Sequence, residues 1–348
     1  MGLATLERPG LIRFFIQLPS LFFCTRQSLV PALLMVLMVL GLGQPVRAAE
    51  EAKATVIIVV GAAGEEEYGK VFEKSAQLWI DGAKKGGADC LAIGLGQTNS
   101  VTDLDQLKQR LAAEPKGSSN ELWLVLLGHG TFDGQEAKFN LRGPDLSTTE
   151  LVALLKPFTR PVALVDCSSC SAPFMSSLKA SNRVVITATR SGSEENYARF
   201  GRFLAESIAD PGADLDKDGQ TSLLEAFLMA SRKTKEFYDA DTRLATEHAL
   251  VDDNGDGLGT PADWFRGIRA IKKAKEENSS DGYRAHQFHL VRSGNDLELP
   301  AEARARRDQL ELAVARLREA KPKLAEAEYY RQLELLLIDM ARISETKP

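Results

Sequence analysis

The sequence predicts an α/β fold in which a mainly parallel sheet is covered by helices on both faces. Short apolar runs typical of buried strands alternate with segments that carry apolar residues at helical spacing. This alternation implies right-handed crossovers between parallel strands. Beyond residue 211 the pattern changes, and we expect a mainly helical C-terminal region. The predicted strands are 54–60, 89–95, 122–127, 161–165 and 183–189. We also expect a helix from about 194 to 209 and a short strand at 283–291.

The N-terminal 49 residues are typical of an export signal rather than of a folded element. Basic residues precede an almost wholly apolar run at 29–43, and Val46-Arg47-Ala48 offers the small residues that a signal peptidase requires. The apolar run is shorter than the roughly 20 residues that a spanning helix needs. We therefore expect an exported protein, periplasmic or extracellular, that contacts the membrane only if the signal stays uncleaved.

The chain divides by composition into four parts. These are the signal at 1–49, a core at 50–210, an acidic loop with a helical extension at 211–298, and an amphipathic helical tail at 299–348. The net charge is −5 and there is no block of Lys or Arg, which argues against nucleic-acid binding. The tail carries apolar residues at helical spacing with a break near Pro322, so we expect two helices. They could pack on the core, pair as a coiled coil or dock a partner protein.

Two polar stretches follow neighbouring predicted strands. Gly128-His129-Gly130 follows the strand at 122–127, and Cys167-Ser168-Ser169-Cys170 follows the strand at 161–165. In open α/β sheets, ligands bind at the carboxyl ends of the strands. A nearby histidine takes the proton of a thiol, and main-chain N–H groups stabilise an oxyanion. We predict a cysteine nucleophile, Cys170 or Cys167, with His129 as the proton acceptor and donor and Gly130 beside the oxyanion.

These residues resemble the legumain-like and caspase-like cysteine peptidases, in which a His-Gly pair follows the third strand and the nucleophile follows the fourth. The segment Ile186-Thr187-Ala188-Thr189, followed by Glu194-Glu195-Asn196-Tyr197-Ala198, is similar to the one that shapes the specificity pocket of legumain-like peptidases. This gives Thr189 a role in substrate binding. The resemblance covers roughly 54–210. It implies a caspase-like α/β/α sandwich that hydrolyses peptide bonds in a peptide or protein substrate.

The cysteine segment departs from the family's acidic-small-Cys-x-Ser-Gly order, because no glycine follows it. If Cys167 is the nucleophile, Ser169 fills the family's serine position and Cys170 replaces the glycine. An alignment anchored on Phe174 moves the nucleophile to Ser169 or Cys170. We favour Cys170, which lies past the strand and is followed by Ser171-Ala172. Two other hypotheses stay open: a catalytically degenerate peptidase-like scaffold, and a thiol–disulfide oxidoreductase that uses both cysteines.

A twelve-residue pattern typical of an EF-hand calcium loop begins at Asp214. It offers carboxylates at positions 1, 3 and 5, glycine at 6, an oxygen side chain at 9 and glutamate at 12. A solvated acidic turn that caps the next helix is the alternative. A second acidic stretch at 252–263 fits less well, because Pro261 stands at position 10, and a polar turn explains it equally well. We predict a structural Ca²⁺, and no cofactor for catalysis, with the ion held by Asp214, Asp216, Asp218, Gln220, Ser222 and Glu225.

Overall fold

The computed structural model describes residues 53–97, 100–275 and 278–345. The predicted export signal lies outside these residues. The described chain from residue 53 onward belongs to one compact unit. No helix in the described ranges is long and apolar enough to cross a membrane.

The structure contains a central sheet and two small accessory sheets. The strands are β1 (Thr55–Val60), β2 (Asp89–Ile93), β3 (Leu122–Leu127), β4 (Gly130–Phe132), β5 (Ala137–Phe139), β6 (Leu146–Ser147), β7 (Val162–Asp166), β8 (Arg183–Thr187), β9 (Leu250–Asp252), β10 (Thr260–Pro261), β11 (Phe265–Arg266) and β12 (Arg269–Ala270). The central sheet has seven strands in the order β10-β9-β8-β7-β3-β1-β2. All neighbours from β2 to β8 are parallel, while β9 and β10 are antiparallel additions.

Helices cover both faces of this sheet. They are α1 (Glu66–Lys85), α2 (Asp103–Ala113), α3 (Thr148–Leu155), α4 (Ala172–Leu178), α5 (Phe200–Ser207), α6 (Leu223–Ala240), α7 (Tyr283–Gln287), α8 (Gly294–Glu298), α9 (Ala301–Ala320) and α10 (Glu326–Glu345). Alternate β1 residues enter two separate cores. Val56 and Ile58 pack with α1, α5 and α6, whereas Ile57 and Val59 pack with α2, α3 and α4. The predicted α/β/α sandwich with a mainly parallel sheet and C-terminal helices is confirmed.

Two predicted elements differ from those in the structure, because carboxylates distant in sequence bind the N–H groups where the two helices start. The helix expected to begin near residue 194 begins at Phe200, where the Glu247 carboxylate accepts the main-chain N–H groups of Arg199 and Phe200. The strand expected at 283–291 is wrong. Residues Tyr283–Gln287 form a helix, and the Asp253 carboxylate accepts the N–H groups at its start.

The tail forms two helices, as predicted, with the 3₁₀ turn Lys321–Lys323 between them. Helix α10 packs along α9 and leaves a row of apolar side chains exposed. Tyr330, Leu337 and Ile338 are 50%, 48% and 43% exposed. Docking of a partner protein by these helices stays a prediction.

Candidate active site at the strand exits

His129 lies at the bend between β3 and β4. Its Nε2 atom is 3.2 Å from the carbonyl oxygen of Ala63. Since a carbonyl only accepts, Nε2 carries the proton in this hydrogen bond and Nδ1 is left for other chemistry. Three aromatic rings surround the imidazole, with centroid distances of 5.1 Å to Tyr68, 5.2 Å to Phe72 and 5.9 Å to Tyr197. The ring is therefore held in a fixed, half-buried position.

Gly130 joins the histidine corner to the cysteine segment. Its N–H donates to the Ser169 hydroxyl at 3.2 Å, and that hydroxyl donates to the Gly130 carbonyl at 3.1 Å. A Cβ atom at Gly130 would lie 2.3 Å from the Ser169 carbonyl oxygen and 2.8 Å from the Ser168 hydroxyl, so only glycine fits. The two stretches predicted to meet do lie in contact. The N–H group expected at the oxyanion is occupied by Ser169.

Cys167 is a core residue. Its side chain is 3% exposed and packs against α5, where a Cβ atom at Gly201 would lie 2.5 Å from the Cys167 Cβ. Burial, followed by the charges of Asp166 and Glu247, raises the pKa of the Cys167 thiol well above its usual value. A thiol attacks as the thiolate. Cys167 is thus neither ionised nor accessible in this structure.

Cys170 lies nearer the surface but is also covered. It is 1% exposed, and its N–H donates to the Glu194 carbonyl at 3.0 Å. Burial, then the charges of Glu195 and Asp166, raise the pKa of the Cys170 thiol to about 11, opposed by the N–H of Phe132. Glu195, which has the larger of these two charge effects, is itself exposed. At pH 7 roughly one such thiol in 10⁴ is ionised.

The backbone of Cys170 is also unusual. Its φ angle is 56°, in the left-handed region that a non-glycine residue adopts at a cost of about 1 kcal/mol or more. The conformation turns the chain out of β7 and into α4. Both Cys167 and Cys170 are free thiols.

Asp166 and Ser168 form a buried pair that the sequence analysis missed. The Ser168 hydroxyl donates to Asp166 Oδ1 at 2.6 Å, and the Ser168 N–H donates to the same oxygen at 3.0 Å. Burial raises the pKa of Asp166 to about 7, against the lowering effect of these bonds. The missed signal was Asp166 itself. If the acidic-small-Cys-x-Ser-Gly order that the sequence resembles is aligned without a gap from Asp166, Ser168 stands where that order has its cysteine.

Thr189 is fully buried and fixes the turn after the cysteines. Its hydroxyl accepts the N–H of Ala172 at 3.1 Å and lies 3.1 Å from the Ser171 hydroxyl. The segment that follows crosses Cys170 and is anchored by Glu194, whose carboxylate lies 2.6 Å from His248 Nδ1. In this structure Thr189 positions the cysteine segment rather than lining an open pocket.

The acidic loop predicted to bind calcium brings together three of its six residues. One carboxylate oxygen from each of Asp214, Asp216 and Asp218 lies within 4.8 Å of the others. Glu225 instead caps α6, accepting the N–H and hydroxyl of Ser222 at 2.9 and 2.8 Å. The side-chain amide oxygen Oε1 of Gln220 accepts the N–H of Ser293. The carboxylates at positions 1, 3 and 5 suit a hard cation. Glu225 would have to give up its hydrogen bonds to Ser222 in order to bind the same ion.

The described residues form an α/β/α sandwich around a mainly parallel sheet. A comparison with solved structures found the Drosophila initiator caspase Dronc, which is 11% identical, with a TM-score of 0.34. The match covers 60% of this chain and 82% of that one. A likeness with so low a TM-score supports no conclusion about this chain. No protein-family model and no curated protein matches the sequence.

Proposed function

We propose that the chain is an exported cysteine-type peptidase of caspase-like fold, with Cys170 as nucleophile and His129 as proton carrier. The contact between Gly130 and Ser169 is the observation that supports this most strongly. Each of these residues adjoins one member of the pair, so His129 and Cys170 flank one junction where β3 and β7 end. Glycine is required there, since any side chain would enter the Ser168–Ser169 backbone.

In the proposed reaction, Cys170 Sγ attacks the substrate carbonyl carbon and His129 takes the thiol proton. His129 then gives that proton to the leaving amine, and a thioester forms as the peptide bond breaks. Water loses a proton to His129, hydrolyses the thioester and restores the thiol. The free Nδ1 atom of His129 suits this work because Nε2 is committed to Ala63.

The two main-chain donors beside the nucleophile are engaged by the chain itself. The Gly130 N–H bonds the Ser169 hydroxyl, and the Cys170 N–H bonds the Glu194 carbonyl. A substrate carbonyl would replace these partners. We therefore propose that the structure corresponds to a closed resting form, and that displacement of the segment around Glu194 frees both donor and thiol. Because burial is the largest cause of the raised pKa of Cys170, uncovering the thiol would lower that pKa.

A second candidate is a peptidase-like scaffold that binds peptides without cleaving them. The observation in its favour is Ser168, whose hydroxyl donates to Asp166 and has no hydrogen bond to His129 among the described residues. If Ser168 holds the nucleophile position, the usual thiol is replaced by a weaker and unactivated hydroxyl. The thiol–disulfide hypothesis has less support, since raised thiol pKa values oppose exchange.

Peptide cleavage separates these candidates. The protein lacking residues 1–49 is incubated with a peptide library and the products are identified by mass spectrometry. We expect new termini that disappear in Cys170→Ala and His129→Ala. Activity that persists in Cys170→Ala would contradict the role of that residue. No cleavage by the wild type, with cleavage gained in Ser168→Cys, would identify the degenerate scaffold. N-terminal analysis of the secreted protein tests export.

We also propose that Ca²⁺ binds the loop that begins at Asp214, with Asp214, Asp216 and Asp218 as its first ligands. The convergence of three carboxylates supports this proposal. Calcium should raise the melting temperature of the wild type by several degrees. Asp218→Asn should lose most of that shift, whereas the exposed Asp241→Asn, outside the loop, should keep it. An equal shift in Asp218→Asn, or none in the wild type, would contradict the site.

A further inference from the structure

A cleft lies at the opposite edge of the central sheet, where the parallel strands begin. Its volume is about 480 Å³. Its walls are the segments that precede β3, β7 and β8, together with α7 and α9. Because parallel strands begin at one edge and end at the other, the cleft is separate from the His129–Cys170 site.

Arg284, on α7, lines this cleft, and its side chain makes no hydrogen bond or ion pair with the described residues. Its Nε atom is sealed from solvent without a hydrogen bond, and no acceptor or carboxylate in the described chain lies within bonding distance of its guanidinium. A guanidinium offers five donors, and leaving buried donors unpaired is costly. This arginine is therefore held half-buried without the compensation that such a charge normally receives.

The carboxylates nearest to Arg284 are already used. Burial lowers the pKa of Arg284, Asp253 opposes that change, Arg316 adds to it and Asp308 opposes it. Asp253 accepts the N–H groups of Gly282 and Ala285. Asp308 is bonded to the Arg307 guanidinium at 2.9 Å. Neither acid lines this cleft. Asp308 and Glu121 line an adjoining cavity that Arg284 also borders, and there Glu121 is paired with Arg292.

Arg316, on α9, supplies a second cation to the same cleft. It is exposed and has no ion pair within the ranges that the structure covers. Two like charges thus face one space in a chain whose net charge is −5, and no Asp or Glu side chain lies among the residues that line it. The hydroxyls of Ser119 and Ser181 and the amide of Gln309 add hydrogen-bond donors to the walls.

We propose that this cleft binds a small oxyanion, the phosphate or carboxylate group of a soluble ligand, between Arg284 and Arg316. The planar guanidinium matches two oxygens of either group, and charge-assisted hydrogen bonds are the strong ones. The bound anion would give Arg284 the acceptors that it lacks and would remove the repulsion between the two arginines. The proposal does not depend on peptidase activity.

Titration calorimetry tests the site with sodium phosphate and sodium succinate as probes, at constant ionic strength set with sodium chloride. We expect saturable binding of at least one probe. Arg284→Gln and Arg316→Gln should each weaken binding about tenfold or more. Arg318→Gln is the matched control, because Arg318 is exposed on the same helix, has no ion pair among the described residues and lies outside this cleft. Its affinity should equal that of the wild type.

Binding of phosphate alone, or of succinate alone, would support the site and identify its oxyanion. No saturable binding of either probe would overturn the proposal. Unchanged affinity in Arg316→Gln would also overturn the proposal. Because Arg316 is exposed, this variant should fold, and it tests the site even if Arg284→Gln does not fold. A loss of affinity in Arg318→Gln equal to that in the other variants would mean a general surface charge effect and would count against the cleft.

Discussion

Cys167 and Cys170 are three residues apart, yet their thiols lie in different regions of the molecule. Cys167 lies under α5, where Gly201 approaches its side chain, inside one of the two large apolar cores. Cys170 lies against the loop that carries Glu194, whose carbonyl accepts its N–H, and its thiol accepts the N–H of Phe132 on β4.

The difference shows that low exposure alone does not classify a thiol. Both side chains are at most 3% exposed. One is covered by a helix that belongs to the core, the other by a loop held through a Glu194–His248 pair at 2.6 Å. Loops open at lower free-energy cost than packed helices. Cys170 is therefore the thiol that a conformational change would expose.

The largest expected effect is at Gly201, which tests whether α5 truly closes over Cys167. Alanine normally stabilises a helix relative to glycine by about 1 kcal/mol. Here its Cβ would lie 2.5 Å from Cys167, so we expect Gly201→Ala to lower the free energy of unfolding by about 2–3 kcal/mol. Chemical denaturation measures this. Arg202→Ala on the outer side of the helix should cost under about 0.5 kcal/mol, and a stabilised Gly201→Ala would refute the close packing.

The next largest effect is the pH dependence of stability that Asp166 gives at the end of β7. The pKa of Asp166 in the folded protein is about 7, above the usual 3.8. Between these two pH values the folded protein keeps the carboxyl proton that the unfolded chain has lost. The contribution of Asp166 to stability is therefore present below about pH 4 and is lost as the pH rises to about 7. Asp166→Asn should be more stable than the wild type at pH 8, by on the order of 2 kcal/mol, and not at pH 4.

Thermal or denaturant unfolding of Asp166→Asn and wild type across pH 4–8 checks this difference. Other carboxyl groups with raised pKa values, such as Asp252 and Asp281, are present in both proteins, so their effects cancel. A difference that does not change with pH would mean that Asp166 titrates normally.

The smallest effect compares the two thiols directly. Cys167→Ser puts a hydroxyl against the apolar face of α5 and should cost about 1–2 kcal/mol of unfolding free energy. Cys170→Ser keeps the N–H of Phe132 as a partner and should cost less than about 1 kcal/mol. An equal loss of unfolding free energy in the two variants would contradict the distinction between Cys167 in the core and Cys170 beside the Glu194 loop.

Apolar periodicity was enough to predict most of the central sheet and the two tail helices, because burial decides them locally. The meeting of His129-Gly130 with the cysteine segment also followed, since neighbouring parallel strands end at one edge. The start of α5 could not be predicted, because it is fixed by hydrogen bonds to Glu247, which lies 47 residues away in sequence. The cover over Cys170 depends on Glu194 in the same way. Ser168 could not be predicted, because its hydrogen bonds to the buried Asp166 carboxylate become visible only in the folded chain.

The central claim is that Cys170 reacts with the help of His129. A peptide-derived alkylating probe tests it most directly, with the modified residue mapped by mass spectrometry in the folded, reduced protein, with and without calcium. We predict modification of Cys170 alone, with a rate at least tenfold lower in His129→Ala. Modification of Cys167, equal rates in both proteins, or no modification of either cysteine would contradict the account.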